Sequence, residues 1–239
     1  MIPLRDNIPS RNAPVMTILL IATNVLVFFY ELSLGRALPR LFYELAVIPS
    51  RYVHGVSVTP SGGVEEAGFA LLVFPLFASM FLHGGWLHLL GNMLYLWIFG
   101  DNVEDRMGHF RFLIFYLLCG LAATFGHIWS SPNSTMPSLG ASGAIAGVLS
   151  GYLMLYPRAR VLVLLPVWFL FTFEVPALFF LGFWFLQQLL FGIGSLGPES
   201  AQTGGVAWWA HIGGFLAGAI LVHLFTQRRY EYARREPGW

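Results

Sequence analysis

Apolar residues in this chain fall into long blocks with little polar interruption. Six blocks have the length and character of membrane-crossing helices, near 15–33, 86–107, 109–130, 142–157, 176–194 and 205–227. Two further apolar stretches do not read as spans. Phe69–Leu82 is too short for a bilayer and contains Pro75, which suits a re-entrant or interfacial piece. Val161–Val175 is broken by Pro166 and Glu174 and runs into Pro176, so it is expected to lie at the interface. Between Ala37 and Ile48, Arg40 and Glu44 are spaced among apolar residues, the pattern of a helix lying on the membrane. The expected fold is an all-α polytopic membrane protein in one domain. It has a short N-terminal segment (1–14), a long first external loop and a tail at 228–239.

Composition agrees. Of 239 residues, 56% are hydrophobic and 10% charged, far below the quarter or so that is charged in soluble domains. The net charge of +1 gives no basis for nucleic-acid binding; the expected surroundings are a lipid bilayer. All 13 basic residues are arginine, and their distribution tests the topology. With six spans, Arg5, Arg11, Arg106, Arg111, Arg158, Arg160, Arg228, Arg229, Arg234 and Arg235 share one side, while Arg36, Arg40 and Arg51 face the other. This is the positive-inside bias, with both termini cytoplasmic. A seventh span at 69–82 would divide the arginines between the two sides. Cys119 is a lone cysteine in an apolar run and is expected to be a buried small hydrophobe. The first apolar run has no small-residue cleavage site, so it reads as an anchor.

Polar residues inside spans are costly and suggest function. Three stand out: Asn92 in "HGGWLHLLGN", Ser142 in "GASG" and His211 in "WWAHIGGFLAG". Counting toward the arginine-rich side, 16 residues separate Ser142 from Arg158, His211 from Gln227 and Asn92 from Gly108, which is expected to be the C-terminal stop glycine of the second span. At 1.5 Å per residue each lies roughly 24 Å above the inner boundary, some 6 Å below the outer surface of a core about 30 Å thick. Gly143, Gly147 and Gly151 recur every four residues, as do Gly214 and Gly218. Such small-residue faces let two helix backbones pack closely. Packing the fourth span on the sixth would join hydroxyl and imidazole at one depth. His88 and Asn92, at i and i+4, share a face of the second span.

A serine hydroxyl needs a base to attack a carbonyl, and an imidazole can accept its proton and return it to the leaving amine. The tetrahedral intermediate needs donors. Ser142 opens a helix, so unpaired N–H groups lie beside it, and the Asn92 amide and a His88 N–H supply more. The loop "SSPNSTMPSLG" must leave Ser142 below the surface, which irregular backbone tolerates only against protein or a wet cavity. No aspartate or glutamate falls in this layer to orient His211, so the expected machinery is a dyad and the expected turnover slow.

These residues resemble the rhomboid family of intramembrane serine proteases. The likeness rests on "HGGWLHLLGN" at 83–92, "GASG" at 140–143 and "AHIGGFLAG" at 210–218 in family order, with "GDNVEDRMG" at 100–108. It implies a six-transmembrane-helix rhomboid-like bundle, with Ser142 as nucleophile and His211 as general base. Asn92, His88 and Gly140, with the Ser142 N–H, are the implied oxyanion- or substrate-binding group. The implied reaction is cleavage of transmembrane substrates near the external face, with no metal and no other cofactor. The fifth span, rich in Phe and Trp up to Gln187 and Gln188, would lie where the family admits substrate laterally. Two departures stand out. The Trp-Arg pair many members carry in the first external loop has no clear counterpart, Phe74 and Pro75 lying near that place. Where some members set an aromatic four residues after the serine, beneath the histidine ring, this chain has Ala146.

Helix-weakened transmembrane segments are the expected substrates, because an intact helix hides its carbonyls. A noncatalytic membrane-protein binder or chaperone on the same scaffold is the alternative reading, and a small transporter or channel a third without an inverted repeat to support it. His83 is expected to brace the loop before its helix, and His54, His109, His127 and His223 to be structural. No H-E-x-x-H motif or carboxylate joins the histidines, which argues against a metal site. Glu104 and Arg106 are expected to fix a cytoplasmic turn, and "QRRYEYARRE" to hold the tail inside against anionic lipid. "NST" at 133–135 matches a glycosylation acceptor. Size and composition suggest a bacterial cytoplasmic membrane.

Overall fold

The computed structural model describes residues 1–59, 62–166, 170–196 and 206–227; the tail at 228–239 lies outside them. A helix occupies each of the six expected span positions: α1 (Val15–Leu34), α5 (Trp86–Met107), α6 (His109–Ser130), α7 (Ser142–Leu155), α8 (Ala177–Gly194) and α9 (Trp208–Phe225). Three shorter helices, α2 (Leu38–Leu45), α3 (Pro49–His54) and α4 (Phe69–Ala78), fall between α1 and α5. Four helical stretches are long and apolar enough to cross a bilayer: Val15–Leu45, His109–Ser130, Ala177–Gly194 and Trp208–Phe225. A fifth arises if Phe69–Phe81 and Trp86–Met107, bent by 75°, are counted together. With 14 residues, α7 is shorter than a full crossing. The sharp bend agrees with an interfacial or re-entrant 69–82.

The expectation of an all-α chain requires correction. Strand β4 (Arg160–Pro166) and strand β5 (Leu170–Pro176) form an antiparallel hairpin, and β1 (Ile2–Asp6) adds to it in the order β1-β4-β5. The segment treated as interfacial is therefore a hairpin paired with the N-terminus. Val161 and Val163 are fully buried while β5 is largely exposed. This run of β-branched residues bounded by prolines reads equally as a buried strand, and its partner lies over 150 residues earlier in the chain, where local pattern gives no hint. A second, two-stranded sheet joins β2 (Val56–Val58) to β3 (Val64–Glu66).

The small-residue faces do what their spacing implies. A Cβ on Gly214 would lie 1.9 Å from the Gly143 carbonyl oxygen, and one on Gly218 2.2 Å from that of Gly147. Thus α7 and α9 pack backbone against backbone, a spacing only glycine permits. On its other side, α7 meets α6, where a Cβ on Gly147 would strike Cys119. Cys119 is buried and unpaired, the small hydrophobe expected. Between α5 and α6, Gly108 has φ +79° and donates its N–H to the Glu104 carbonyl, so the chain reverses at the stop glycine anticipated there.

The segment between α1 and α5 is organised around one cation. Arg51 is fully buried. Its guanidinium donates to Ser57 Oγ (3.0 Å) and to the carbonyls of Tyr43 (2.7 Å) and Leu71 (3.3 Å), and lies 4.8 Å above the Tyr43 ring. It ties α2, β2 and α4 to α3, an anchor the missing Trp-Arg pair gave no reason to expect.

Candidate active site

The loop before Ser142 is held from two sides. Val47 and Ser138 exchange backbone hydrogen bonds of 3.0 and 2.7 Å, and Ser50 N–H donates to the Ser134 carbonyl. Gly140 N–H donates to the carbonyl of Ser79, in the 3-10 turn Ser79–Phe81 after α4. The segment around Val47–Ser50 and this turn thereby hold the irregular backbone before Ser142 against protein. Gly140 then turns the chain into α7 with φ +125°. Ala141 is the N-cap and no side chain caps the helix, so the first-turn N–H groups keep their hydrogen-bonding capacity beside Ser142.

The two residues expected to meet do meet. His211 Nε2 lies 2.8 Å from Ser142 Oγ. Ser142 is half-buried and His211 buried. A hollow lined by Ser79, Met80, Leu139, Gly140 and Ala210 includes Ser142 in its wall.

Asn92, His88 and Gly140 cluster on the α5 side. A Cβ on Gly140 would fall 2.6 Å from the His88 ring and 3.8 Å from Asn92 Nδ2. The pair at i and i+4 therefore flanks the backbone two residues before the serine. Asn92 Nδ2 lies 3.0 Å from His83 Nε2, and the His83 ring meets His88 edge-on at 5.1 Å. His83 is buried, and its N–H donates to the Glu31 carboxylate at 3.0 Å. His83 thus braces Asn92 as well as the loop. Glu31, buried near the outer end of α1, was not anticipated; a lone acid in the last turn of an apolar span was its signal.

A second unanticipated residue is Gln188 of α8. Its Oε1 lies 2.8 Å from His211 Nδ1, and its Nε2 donates to the Trp184 carbonyl at 3.3 Å. Among the described residues the partner at His211 Nδ1 is an amide rather than a carboxylate. Ala146 offers no ring beneath the imidazole. Instead Trp184, one turn before Gln188, lies 5.8 Å from the ring at 35°, and Trp208 meets it edge-on at 6.4 Å. The signal was present: two polar residues ending an otherwise apolar, aromatic helix.

Among the described residues no group of His, Cys, Asp or Glu is arranged to hold a metal ion. His109 pairs with Glu104, and His54 with Asn133. The layer brings together a hydroxyl, imidazoles and amides within hydrogen-bond reach of one another.

A family model for the Rhomboid domain matches residues 71–228. The chain belongs to the rhomboid family. It is similar to Rhomboid protein 1, mitochondrial, of Saccharomyces cerevisiae, at 31% identity over 66% of this chain and 45% of that protein. Over 66% of the chain and 46% of the relative it is 30% identical to RHOMBOID-like protein 5 of Arabidopsis thaliana. A shorter match, 36% identical over 39% of this chain and 25% of the relative, is to Presenilin-associated rhomboid-like protein A, mitochondrial, of Danio rerio. The chain spans less than half the length of these curated relatives. It is a mostly helical membrane protein of this family, and the matched region contains every residue of the polar layer except Glu31.

Proposed function

We propose that this rhomboid is an intramembrane serine endopeptidase that hydrolyses peptide bonds in or beside transmembrane segments, near the external face. The observation carrying this reading is the 2.8 Å contact between Ser142 Oγ and His211 Nε2, made between α7 and α9. Ser142 attacks the scissile carbonyl while His211 takes its proton, then returns it to the leaving amine. The acyl-enzyme is hydrolysed by water activated on the same imidazole. The oxyanion is held by the Ser142 N–H, the Asn92 amide and His88, with Gly140 letting these groups approach.

The bundle is read as six spans, with α5 and α7 crossing beside the four longer stretches. Both termini then lie on the arginine-rich, cytoplasmic side. The relatives named mitochondrial point to organelles; for this chain we propose a bacterial cytoplasmic membrane, on its composition. Partners are single-span proteins whose outer end carries Gly, Pro or polar residues, because the cleaved carbonyl must first leave its helical hydrogen bond. The test is co-expression with such a substrate: the parent cleaves it and Ser142→Ala does not. Equal cleavage by Ser142→Ala ends the assignment.

A further inference from the structure

Catalysis by a dyad leaves one thing unassigned: what keeps the imidazole lone pair facing the serine. A neutral histidine has two tautomers, and only the one protonated on Nδ1 presents an acceptor at Nε2. We infer that Gln188 is a positioning residue that fixes His211 in this productive tautomer, so that a helix not otherwise part of the dyad sets its competence. This rests on the serine-hydrolase reading above.

The inference follows from hydrogen-bond logic. An amide side chain has a donor end and an acceptor end, and density or packing alone rarely distinguishes them. Here a backbone group does. The Trp184 carbonyl can only accept, and it lies 3.3 Å from the Gln188 amide. The nitrogen must therefore face Trp184. That leaves Oε1, which can only accept, 2.8 Å from His211 Nδ1. Nδ1 must then carry the proton, and Nε2 presents its lone pair to Ser142 Oγ at 2.8 Å. Both side chains are buried, Gln188 at 4% and His211 at 8% exposure, so solvent offers little competition for these bonds. Trp184 completes the arrangement. One turn before Gln188 on the same face of α8, it lies against the imidazole with ring centroids 5.8 Å apart. Support that α7 would give through an aromatic at Ala146 comes from α8 instead, in one i, i+4 pair.

Gln188 differs from a triad aspartate in one respect. It supplies the orienting acceptor without a full negative charge to stabilise the imidazolium. Loss of Gln188 should therefore cost less than the roughly 10⁴-fold seen when a triad acid is replaced and the wrong tautomer results. On the order of 10- to 100-fold is expected, as for partners that orient ligating histidines.

The experiment compares the parent, Gln188→Met and Gln188→Glu in detergent micelles. Two readouts are used: the labelling rate of Ser142 by a fluorophosphonate, and the ¹⁵N spectrum of labelled histidine. Met matches the volume of Gln and suits an apolar span, but offers no comparable acceptor. Glu restores an acceptor oxygen at the same reach. The expected result is labelling by Gln188→Met slowed on the order of 10- to 100-fold, with kcat for a peptide substrate falling in step and KM unchanged. Gln188→Glu should label faster than Gln188→Met. In the parent, His211 should show a protonated Nδ1 and an unprotonated Nε2, and in Gln188→Met a mixture of tautomers. A purely structural residue would give the opposite order, since Met is tolerated in a span and a carboxylate is not. Parent-like labelling and spectrum in Gln188→Met overturn the inference, as does a parent His211 protonated on Nε2. The spectrum needs no turnover. A parent that fails to label at Ser142 while showing the Nδ1-protonated ring refutes the hydrolase reading and leaves the Gln188–His211 pair standing.

Discussion

The two ends of this bundle use polar groups in opposite ways. At one end, the inner one under the proposed topology, Glu104 is buried and its carboxylate accepts from Met16 N–H (2.8 Å), Thr17 N–H (2.7 Å), Thr17 Oγ (2.7 Å) and His109 Nδ1 (2.5 Å). Nearby, Asp6 accepts from Tyr152 and Asn102, and Asp101 from Ser10. Carboxylates there join β1, α1, α5, α6 and α7, and each has several donors. At the opposite end, the outer one under that topology, the layer around Ser142 is built from a hydroxyl, amides and imidazoles. Nearby, the Glu31 carboxylate accepts the backbone N–H of His83. Charged groups fully satisfied by partners fix geometry but have nothing left to offer a ligand. The neutral groups have fewer partners each, Ser142 Oγ meeting His211 and Asn92 meeting His83, and keep donors and lone pairs to spare. One end is built to stay fixed; under the proposed function, the other is where a carbonyl would be received.

The most severe test of that contrast is Glu104→Ala. It leaves three or more donors unpaired in a buried setting, a loss of about 3–5 kcal/mol. The melting temperature in detergent should drop by roughly 6 °C or more. Fluorophosphonate labelling per folded molecule should stay at the parental rate. A labelling rate that falls as far as the stability would show that the two ends are not separable.

Asn92→Ala should have the reverse profile. Removing one oxyanion donor costs about 10²–10³ in kcat, while losing its bond to His83 costs only about 1 kcal/mol of stability. Turnover and melting curves on the same preparation check this. A variant that melts much lower but cleaves normally would make Asn92 a brace for His83 and nothing more.

The contrast also explains what could be read from the sequence. Ser142, His211 and Asn92 were legible because a polar residue in an apolar helix is conspicuous; the structure sets Ser142 against His211 and Asn92 beside Gly140. The α7–α9 packing was legible because glycine at every fourth position has few other uses. Gly108 was legible as a helix stop. The β1-β4-β5 sheet was not, since strand pairing across more than 150 residues leaves no local periodicity, and Pro166 and Glu174 made the hairpin look like broken interface. Gln188 was visible but had no role assigned, because the search for a histidine partner was confined to acids. Arg51 was counted as an external charge, and burial under Tyr43 is a tertiary outcome that its neighbours in sequence do not announce.

The smallest expected effect concerns pH at the inner end. Asp6 lies on β1, outside the spans, and burial pushes its carboxyl up to about 6 from an ordinary 3.8. The Tyr152 hydrogen bond pulls it down and the charge of Asp101 pushes it further up, but burial is the larger effect. The sign follows from proton counting. Between about pH 4 and 6 the folded chain holds a proton on Asp6 that the unfolded chain has released. Stability contributed by this group is therefore greatest at acid pH and declines as pH rises through that window. Because the site is only partly buried, the decline is about 1 kcal/mol after solvent screening, or roughly 2–4 °C in melting temperature. Asp6→Asn keeps an acceptor for Tyr152 and cannot titrate. Melting curves between pH 4 and 7 should show the parent losing those few degrees relative to Asp6→Asn as pH rises. Parallel curves would mean that Asp6 is solvated like any surface carboxylate, and that the inner end has at least one acid not committed to holding the bundle together.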